Sequence, residues 1–257
     1  MANVLVCTAQ VPFASGGAER HAAGLVRELR ARGHRVDLVQ LPFKWYPREE
    51  ILLSAAAWRL VDVTEADGTR VDLVVPMKFP SYLVRHPNKV VWLIHQFRQA
   101  YDRFGTEQSD FGPGPEDTRW RELIAEADAT GLGEARKVFT NARNTADRLM
   151  RFNGIEAEAL YHPPPLAGRY RDEGPGRWAL VVGRLDPWKR MDLAIEGAAA
   201  QFLAAFGVFA ERCEFLCQRR LRIVRTERFG RIGHDFAGGG AVVVEDGGAH
   251  AELVEEN

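Results

Sequence analysis

Residues 3–41, "NVLVCTAQVPFASGGAERHAAGLVRELRARGHRVDLVQL", decide the fold. The short Val-rich runs at 3–9 and 35–41 are typical of buried strands. Between these runs, apolar residues recur at helical spacing: Ala18, Ala22, Leu25, Val26 and Leu29. Gly33 follows as a natural helix stop, because glycine accepts the left-handed conformation. A strand, a helix and a second strand form a βαβ unit, which predicts a parallel sheet covered on both faces.

The same pattern continues through the next hundred residues. Apolar, β-branched runs at 71–76, 89–94 and 136–141 predict three further strands, and 144–152 predicts a short helix. Together with the first βαβ unit they predict one complete Rossmann-like α/β domain.

A domain boundary is predicted where three consecutive prolines end at residue 165. The first domain then covers 1–165 and the second covers 166–257. In the second, "RWALVVG" (177–183) predicts a strand and 191–206 predicts a helix. This looks like the opening of a second, incomplete Rossmann-like domain, and the structure of 205–237 is doubtful because no period is legible there.

The composition is that of an ordinary soluble globular protein. The net charge of −1 gives no overall field that would attract nucleic acid or an anionic membrane, so no nucleic-acid partner is expected. The odd, sparse set of three cysteines suits a reducing compartment better than a disulfide framework. Neither a signal peptide nor a membrane-spanning run is legible, so the cytoplasm is the expected location.

Two candidate site positions follow strands of the first domain. Gly16 and Gly17 lie between the first strand and its helix, where paired glycines permit close approach of a ligand and the helix N-terminus favours a phosphate. The alternative is a tight turn without a ligand. His95 directly follows the run 89–94, where an imidazole can bind a sugar hydroxyl or transfer a proton. The alternative is a half-buried histidine bonded to backbone.

The third candidate is the loop after the first strand of the second domain. Arg184 and Lys189 flank "LDPW", where a guanidinium and an ammonium could hold a diphosphate. Asp186 could orient Arg184. The alternative is a solvated, charged loop.

Four segments together resemble the retaining glycosyltransferases of family 4. They are "GGAER" (16–20), "WLIHQFRQAYDRFGT" (92–106), "FTNARNTADRLMRFNGIEAEALYHPPP" (139–165) and "GRLDPWKRMDLAIEG" (183–197). The resemblance covers residues 1 to about 199, and its last segment is the most specific. It implies a GT-B fold, in which a nucleotide-sugar lies between an acceptor-side domain and a donor-side domain.

The resemblance also implies roles for the candidate residues. Arg184 and Lys189 would hold the donor diphosphate together with Gly16 and Gly17, and His95 would contact the transferred sugar. Glu19 and Asp186 would support them. No cofactor and no metal are expected, because cationic side chains and a helix N-terminus would stabilise the leaving diphosphate.

The second domain departs from the family pattern. It is short, and its Glu-x7-Glu motif is not legible: aligned on the tail, its two positions fall on Thr226 and His234. A shifted reading frame over about 205–235 would explain the Arg-rich, patternless stretch there. A shortened relative that uses the arginines to bind an anionic surface or nucleic acid through phosphate contacts is the alternative.

The leading expectation is therefore a glycosyltransferase that moves a sugar from a UDP- or GDP-sugar to a glycan or lipid-linked acceptor with retention. The acceptor would contact loops at 43–50 and 101–117, and peripheral contact with the inner face of the membrane is compatible with this. A catalytically inactive, glycosyltransferase-like binding protein is the alternative. A nicotinamide-dependent oxidoreductase is disfavoured, because Gly16 and Gly17 lack the Gly-x-Gly-x-x-Gly spacing.

Overall fold

The computed structural model of the protein describes residues 1–107, 109–164, 167–169, 171, 178–184, 190–197, 221–224 and 239–245. The chain divides into two compact units, Met1–Gly168 and Arg169–Asn257. The division falls close to the boundary expected after the proline run.

The first unit is built on parallel strands. Its strands are β1 (Asn3–Gln10), β2 (Arg35–Pro42), β3 (Glu65–Ala66), β4 (Thr69–Arg70), β5 (Leu73–Pro76), β6 (Val90–Leu93), β7 (Lys137–Thr140) and β8 (Glu158–Ala159). The first sheet has the order β2-β1-β5 and the next has the order β6-β7-β8, with every pair parallel. Parallel bridges Val74–Lys89 and Lys78–His95 join β5 to β6, so six strands run side by side. Strands β3 and β4 form a separate antiparallel hairpin.

Helices connect these strands. They are α1 (Gly17–Ala31), α2 (Glu49–Leu60), α3 (Pro115–Gly133) and α4 (Arg143–Asn153), with short 3-10 turns at Ser81–Leu83 and Arg98–Ala100. The predicted strands, α1 and α4 are confirmed, and Gly33 has the positive φ of 84° expected beyond the end of α1. The sequence did not locate α2 or α3. The hydrophobic periodicity of α3 is not visible in the sequence, because its buried side carries Asp128 and Gly131 beside Ile124 and Leu132.

Two hydrophobic clusters cover the two faces of the sheet. The alternation of β1 sends Val4 and Val6 to the cluster under α1, whereas Cys7 belongs to the larger cluster on the other face. Trp58 and Tyr82 fill the larger cluster and are almost completely buried. Burial on both faces explains why these strands read as continuous apolar runs.

The second unit has a different strand arrangement. Its described strands are β9 (Trp178–Arg184), β10 (Leu221–Val224) and β11 (Gly239–Glu245), in the order β10-β11-β9 with antiparallel pairs. The sequence predicted a parallel, Rossmann-like sheet here, and the described strands differ from that prediction. Antiparallel pairing aligns the Val-rich runs of β9 and β11 directly, whereas a parallel pair needs a crossover connection. Residues 191–197 are helical, as predicted.

None of the helices in the described part of the chain has the length and apolarity needed to cross a lipid bilayer.

Candidate active site at the carboxyl edge of the sheet

The strand order of the first unit contains a switch point. From β1 the chain moves to β2 on one side and later to β5 on the other, so the connections diverge at the neighbouring strands β1 and β5. In open α/β sheets, ligands bind beyond the carboxyl ends of the strands at such a switch point. We call the residues that follow β1, β5 and β6 the carboxyl edge. Gly16, Gly17, Lys78 and His95 all lie there.

The two glycines begin α1. Gly16 is its N-cap in extended conformation, and Gly17 is its first residue. A Cβ atom on Gly17 would meet nothing within 4 Å, and one on Gly16 would meet only Glu19 Oε2 at 3.6 Å. Neither glycine is therefore required by packing or by its backbone conformation. Their small size leaves open space at the N-terminus of the helix, where the peptide dipoles favour a negative charge.

Glu19 closes the first turn of α1 and reaches across to β5. Its carboxylate accepts a hydrogen bond from the Gly16 N–H at 2.9 Å and pairs with Lys78 Nζ at 2.7 Å. Burial raises the pKa of Glu19, but the hydrogen bond and charge of Lys78 outweigh it and hold the pKa below its usual value. Glu19 thus acts as a helix cap that anchors Lys78. The sequence did not single out Lys78, whose only signal was its place directly after a strand.

His95 follows β6 and has one ring nitrogen committed. Its Nδ1 lies 2.7 Å from the backbone carbonyl oxygen of Gln96. Because a carbonyl only accepts, Nδ1 carries the proton, and Nε2 of the neutral ring is left as an acceptor. Burial lowers the pKa of His95, and the positive charges of Lys78, Arg148 and Arg98 lower it further, against the opposing effect of the Gln96 hydrogen bond. The ring is therefore neutral near pH 7.

Two arginines surround His95 from other elements. Arg98 makes an ion pair with Asp102 through its Nε at 3.0 Å. Arg148 on α4 donates from Nε to Gln96 Oε1 at 3.1 Å and forms no ion pair with any residue in the described ranges. Burial lowers the pKa of Arg148, and Arg98 adds to this while Asp102 opposes it. The surroundings of His95 thus favour an anion.

A buried polar centre lies behind this edge. Asp128 on α3 is completely buried and accepts hydrogen bonds from the hydroxyls of Tyr82 and Tyr101, each at 2.7 Å. Burial raises the pKa of Asp128 to about 7, while the two tyrosine hydrogen bonds lower it. The sequence did not predict this centre, because its members come from three separate segments.

The loops expected to contact an acceptor differ in their exposure. In the second loop, 101–117, Tyr101 and Phe111 belong to the core, so they are unavailable to a ligand. In the first loop, 43–50, Tyr46 is exposed. Phe13, between β1 and α1, is fully exposed with a positive φ of 61°. Strained residues of this kind cluster at functional sites, and sequence reasoning missed Phe13.

A groove of about 550 Å³ lies at the opposite end of the strands. Asp62, Arg85, His86 and Glu134 contribute to its lining. The Asp62 carboxylate is already bonded to Thr64, and His86 is bonded to Val71 O and to the Asn88 N–H. These groups are engaged within the fold, so the carboxyl edge remains the better candidate.

The structure describes only some of the residues expected to bind the donor. Arg184 is the last residue of β9, and the structure describes its backbone alone. Lys189 and Asp186 lie outside the described residues, as do Thr226 and His234. In the part of the chain that is described, no group of three or more His, Cys, Asp or Glu side chains could hold a metal ion. The expectation that no metal takes part stays a prediction.

Comparisons with known proteins give no family for this chain. A scan against models of protein families finds no match, and a search of curated proteins finds none either. What the chain does is therefore inferred from its own residues and from the motif resemblance.

Proposed function

We propose that the protein is a glycosyltransferase that moves a sugar from a UDP- or GDP-sugar to a glycan or lipid-linked acceptor with retention of configuration. One observation carries the proposal: Gly17 has no packing role, yet it opens a helix at the switch point of a parallel sheet. His95 lies at the same edge. This arrangement suits a diphosphate at the helix N-terminus with a sugar beside it.

Each residue then has a chemical role. The space at Gly16 and Gly17 admits a phosphate, and Nε2 of His95 accepts a hydrogen bond from a sugar hydroxyl. In the reaction, the bond from the sugar carbon to the diphosphate breaks and its electron pair leaves with the diphosphate. The acceptor oxygen bonds to that carbon on the same face, and the acceptor proton is released with the nucleotide. Arg184 and Lys189 are proposed to stabilise the leaving charge, supported by Asp186, without a metal.

A second candidate is a binding protein that keeps the acceptor-side unit and lacks turnover. It is favoured by Thr226 and His234, which stand where the family motif has carboxylates. The antiparallel strands of the second unit also favour it.

Turnover separates the two candidates. We expect the full chain to release UDP or GDP from the matching nucleotide-sugar in the presence of an acceptor, and Arg184→Ala and Lys189→Ala to abolish the release. The product should keep the anomeric configuration of the donor. Release at background rates from a folded wild-type chain would reject the enzyme and leave the binding protein.

The cellular location is part of the same proposal. The sparse cysteines suit the cytoplasm, and a lipid-linked acceptor would be met at the inner face of the membrane.

A further inference from the structure

A chain of hydrogen bonds joins the buried polar centre to His95. The Tyr101 hydroxyl donates to Asp128 and accepts from Asn153 Nδ2 at 3.1 Å. Asn153 Oδ1 in turn accepts from Gln96 Nε2 at 2.9 Å. The Gln96 backbone carbonyl then accepts a hydrogen bond from His95 Nδ1–H at 2.7 Å. We call this chain, Asp128–Tyr101–Asn153–Gln96, the relay.

The relay leaves Gln96 a single orientation. Its side chain is completely buried, its amide nitrogen donates to Asn153, and its amide oxygen accepts from Arg148. Exchanging the two ends of the amide would place donor against donor at Arg148 and acceptor against acceptor at Asn153. Such mispairing is unfavourable, because each buried group would lose its hydrogen bond with no water to replace it. These two side-chain hydrogen bonds therefore hold Gln96 in place, and with it the backbone carbonyl that accepts from His95 Nδ1.

The Asn153 side-chain amide, the next member of the relay towards Asp128, also has a single orientation. Its amide nitrogen needs an acceptor, and the Tyr101 oxygen provides it because the tyrosine proton is committed to Asp128. As a carboxylate, Asp128 thus orients the Tyr101 hydroxyl and, through it, the Asn153 amide, although it lies far from His95 in the sequence.

We propose that Tyr101 and Asn153 are positioning residues for His95: through Gln96, the relay from Asp128 holds the imidazole with its proton on Nδ1 and its Nε2 turned into an acceptor. That the ring then binds the transferred sugar rests on the proposed function. The orientation and tautomer of the ring do not, so the two statements can be tested separately.

The chain offers a matched pair of variants. Tyr101→Phe and Tyr82→Phe each remove one hydroxyl donor from Asp128, so both disturb the buried carboxylate in the same way. Only Tyr101→Phe also removes the acceptor of Asn153. Both retain the aromatic ring, and folding is checked by circular dichroism.

The test is nitrogen NMR of the histidine rings in the labelled full chain, with His95→Gln assigning the signals of His95. The wild type and Tyr82→Phe should show a single Nδ1–H tautomer at about pH 8 and above, where Asp128, with its pKa of about 7, is ionised. Tyr101→Phe should show loss of that single tautomer, with the two forms mixed. Asn153→Ala, at the half-buried end of α4, is a second variant with the same expected loss.

A single, unchanged tautomer in both Tyr101→Phe and Asn153→Ala would overturn the proposal, as would an equal disturbance by Tyr82→Phe. Sugar transfer measured on the same variants distinguishes the two failures. If the tautomer changes as expected and the wild type shows no transfer, the relay stands and the proposed function is wrong.

Discussion

Two kinds of buried polar group can be compared in the first unit. In the interior, the Lys89 ammonium is completely buried and donates to Tyr82 O, Val84 O and Glu134 at 3.0, 3.0 and 3.1 Å. On α4, beside the carboxyl edge, the half-buried Arg148 has the Gln96 amide oxygen as its one hydrogen-bond partner among the described residues. Because interior charges need compensation, Lys89 has its partners within the fold, whereas Arg148 has no carboxylate within ion-pair distance among the described residues. The comparison shows that a buried charge in the interior is compensated within the fold, whereas the Arg148 charge is free to pair with the anion that we propose binds at the carboxyl edge.

Among the interior groups, Asp128 is expected to cause the largest change in the free energy of unfolding with pH. Its folded-state pKa of about 7 lies above the ordinary 3.8, so its contribution to stability is fully present below about pH 4 and is lost as the pH rises through 7. Since one pKa unit corresponds to about 1.36 kcal/mol, the free energy of unfolding should fall by about 4 kcal/mol over this range. Chemical denaturation of the wild type and Asp128→Asn across this range measures it. A difference between the two proteins that does not change with pH would show that the carboxyl titrates normally.

Lys89 and Arg148 test the comparison directly. Lys89→Met leaves two buried carbonyls and Glu134 without their ammonium partner, and should lower the free energy of unfolding by about 3 kcal/mol. Arg148→Met leaves only the buried Gln96 amide oxygen without its described donor and should lower the free energy of unfolding by a smaller amount, about 1 kcal/mol. Lys137→Met is the control, because that lysine is exposed and its contacts, an ion pair with Glu158 and the face of the Phe139 ring, lie at the surface. Equal losses for Lys89→Met and Arg148→Met would contradict the distinction.

Much of the fold could be predicted from the sequence, but little of this comparison could. Strand and helix periods are local, so β1, α1 and β2 were legible from one stretch. The partners of Lys89 and Arg148 come from distant segments, and no local pattern encodes their convergence. Glycine type alone pointed to Gly17 but did not separate a turn from a ligand site. The open space around its Cβ position, which Gly24 shares, does not separate them either, so binding has to be measured.

Two glycines of α3 extend the comparison to a smaller effect, the space available for a Cβ atom. A Cβ on Gly131 of α3 would lie 2.6 Å from Leu83 Cδ2 and 3.1 Å from Tyr82 O, so Gly131→Ala should cost about 1–3 kcal/mol of stability through overpacking. Gly133→Ala, in the same helix with nothing near its Cβ position, is the matched control and should cost nothing. Thermal unfolding of the two variants gives the answer, and equal melting temperatures would refute the packing role of Gly131.

His95 gives the expected pH dependence at the carboxyl edge. Because its pKa is lowered below the ordinary 6.5, the ring stays neutral down to that lowered value, and kcat/KM for sugar transfer should fall only as the pH drops below it. The acidic limb should be absent in His95→Gln. A limb centred at or above pH 6.5, or one that survives in His95→Gln, would remove His95 from the site.

The central claim is that the space at Gly17 is kept for a nucleotide diphosphate. Calorimetric titration of the full chain with UDP and GDP tests it most directly, using Gly17→Ala and its control Gly24→Ala. Both lie in α1 with open space at the Cβ position, so each should change stability by about 1 kcal/mol or less. The account predicts that one nucleotide binds the wild type and Gly24→Ala, and that Gly17→Ala loses this binding by at least about tenfold, or 1.4 kcal/mol. Equal binding by both variants, or no binding of either nucleotide by the folded wild type, would contradict it.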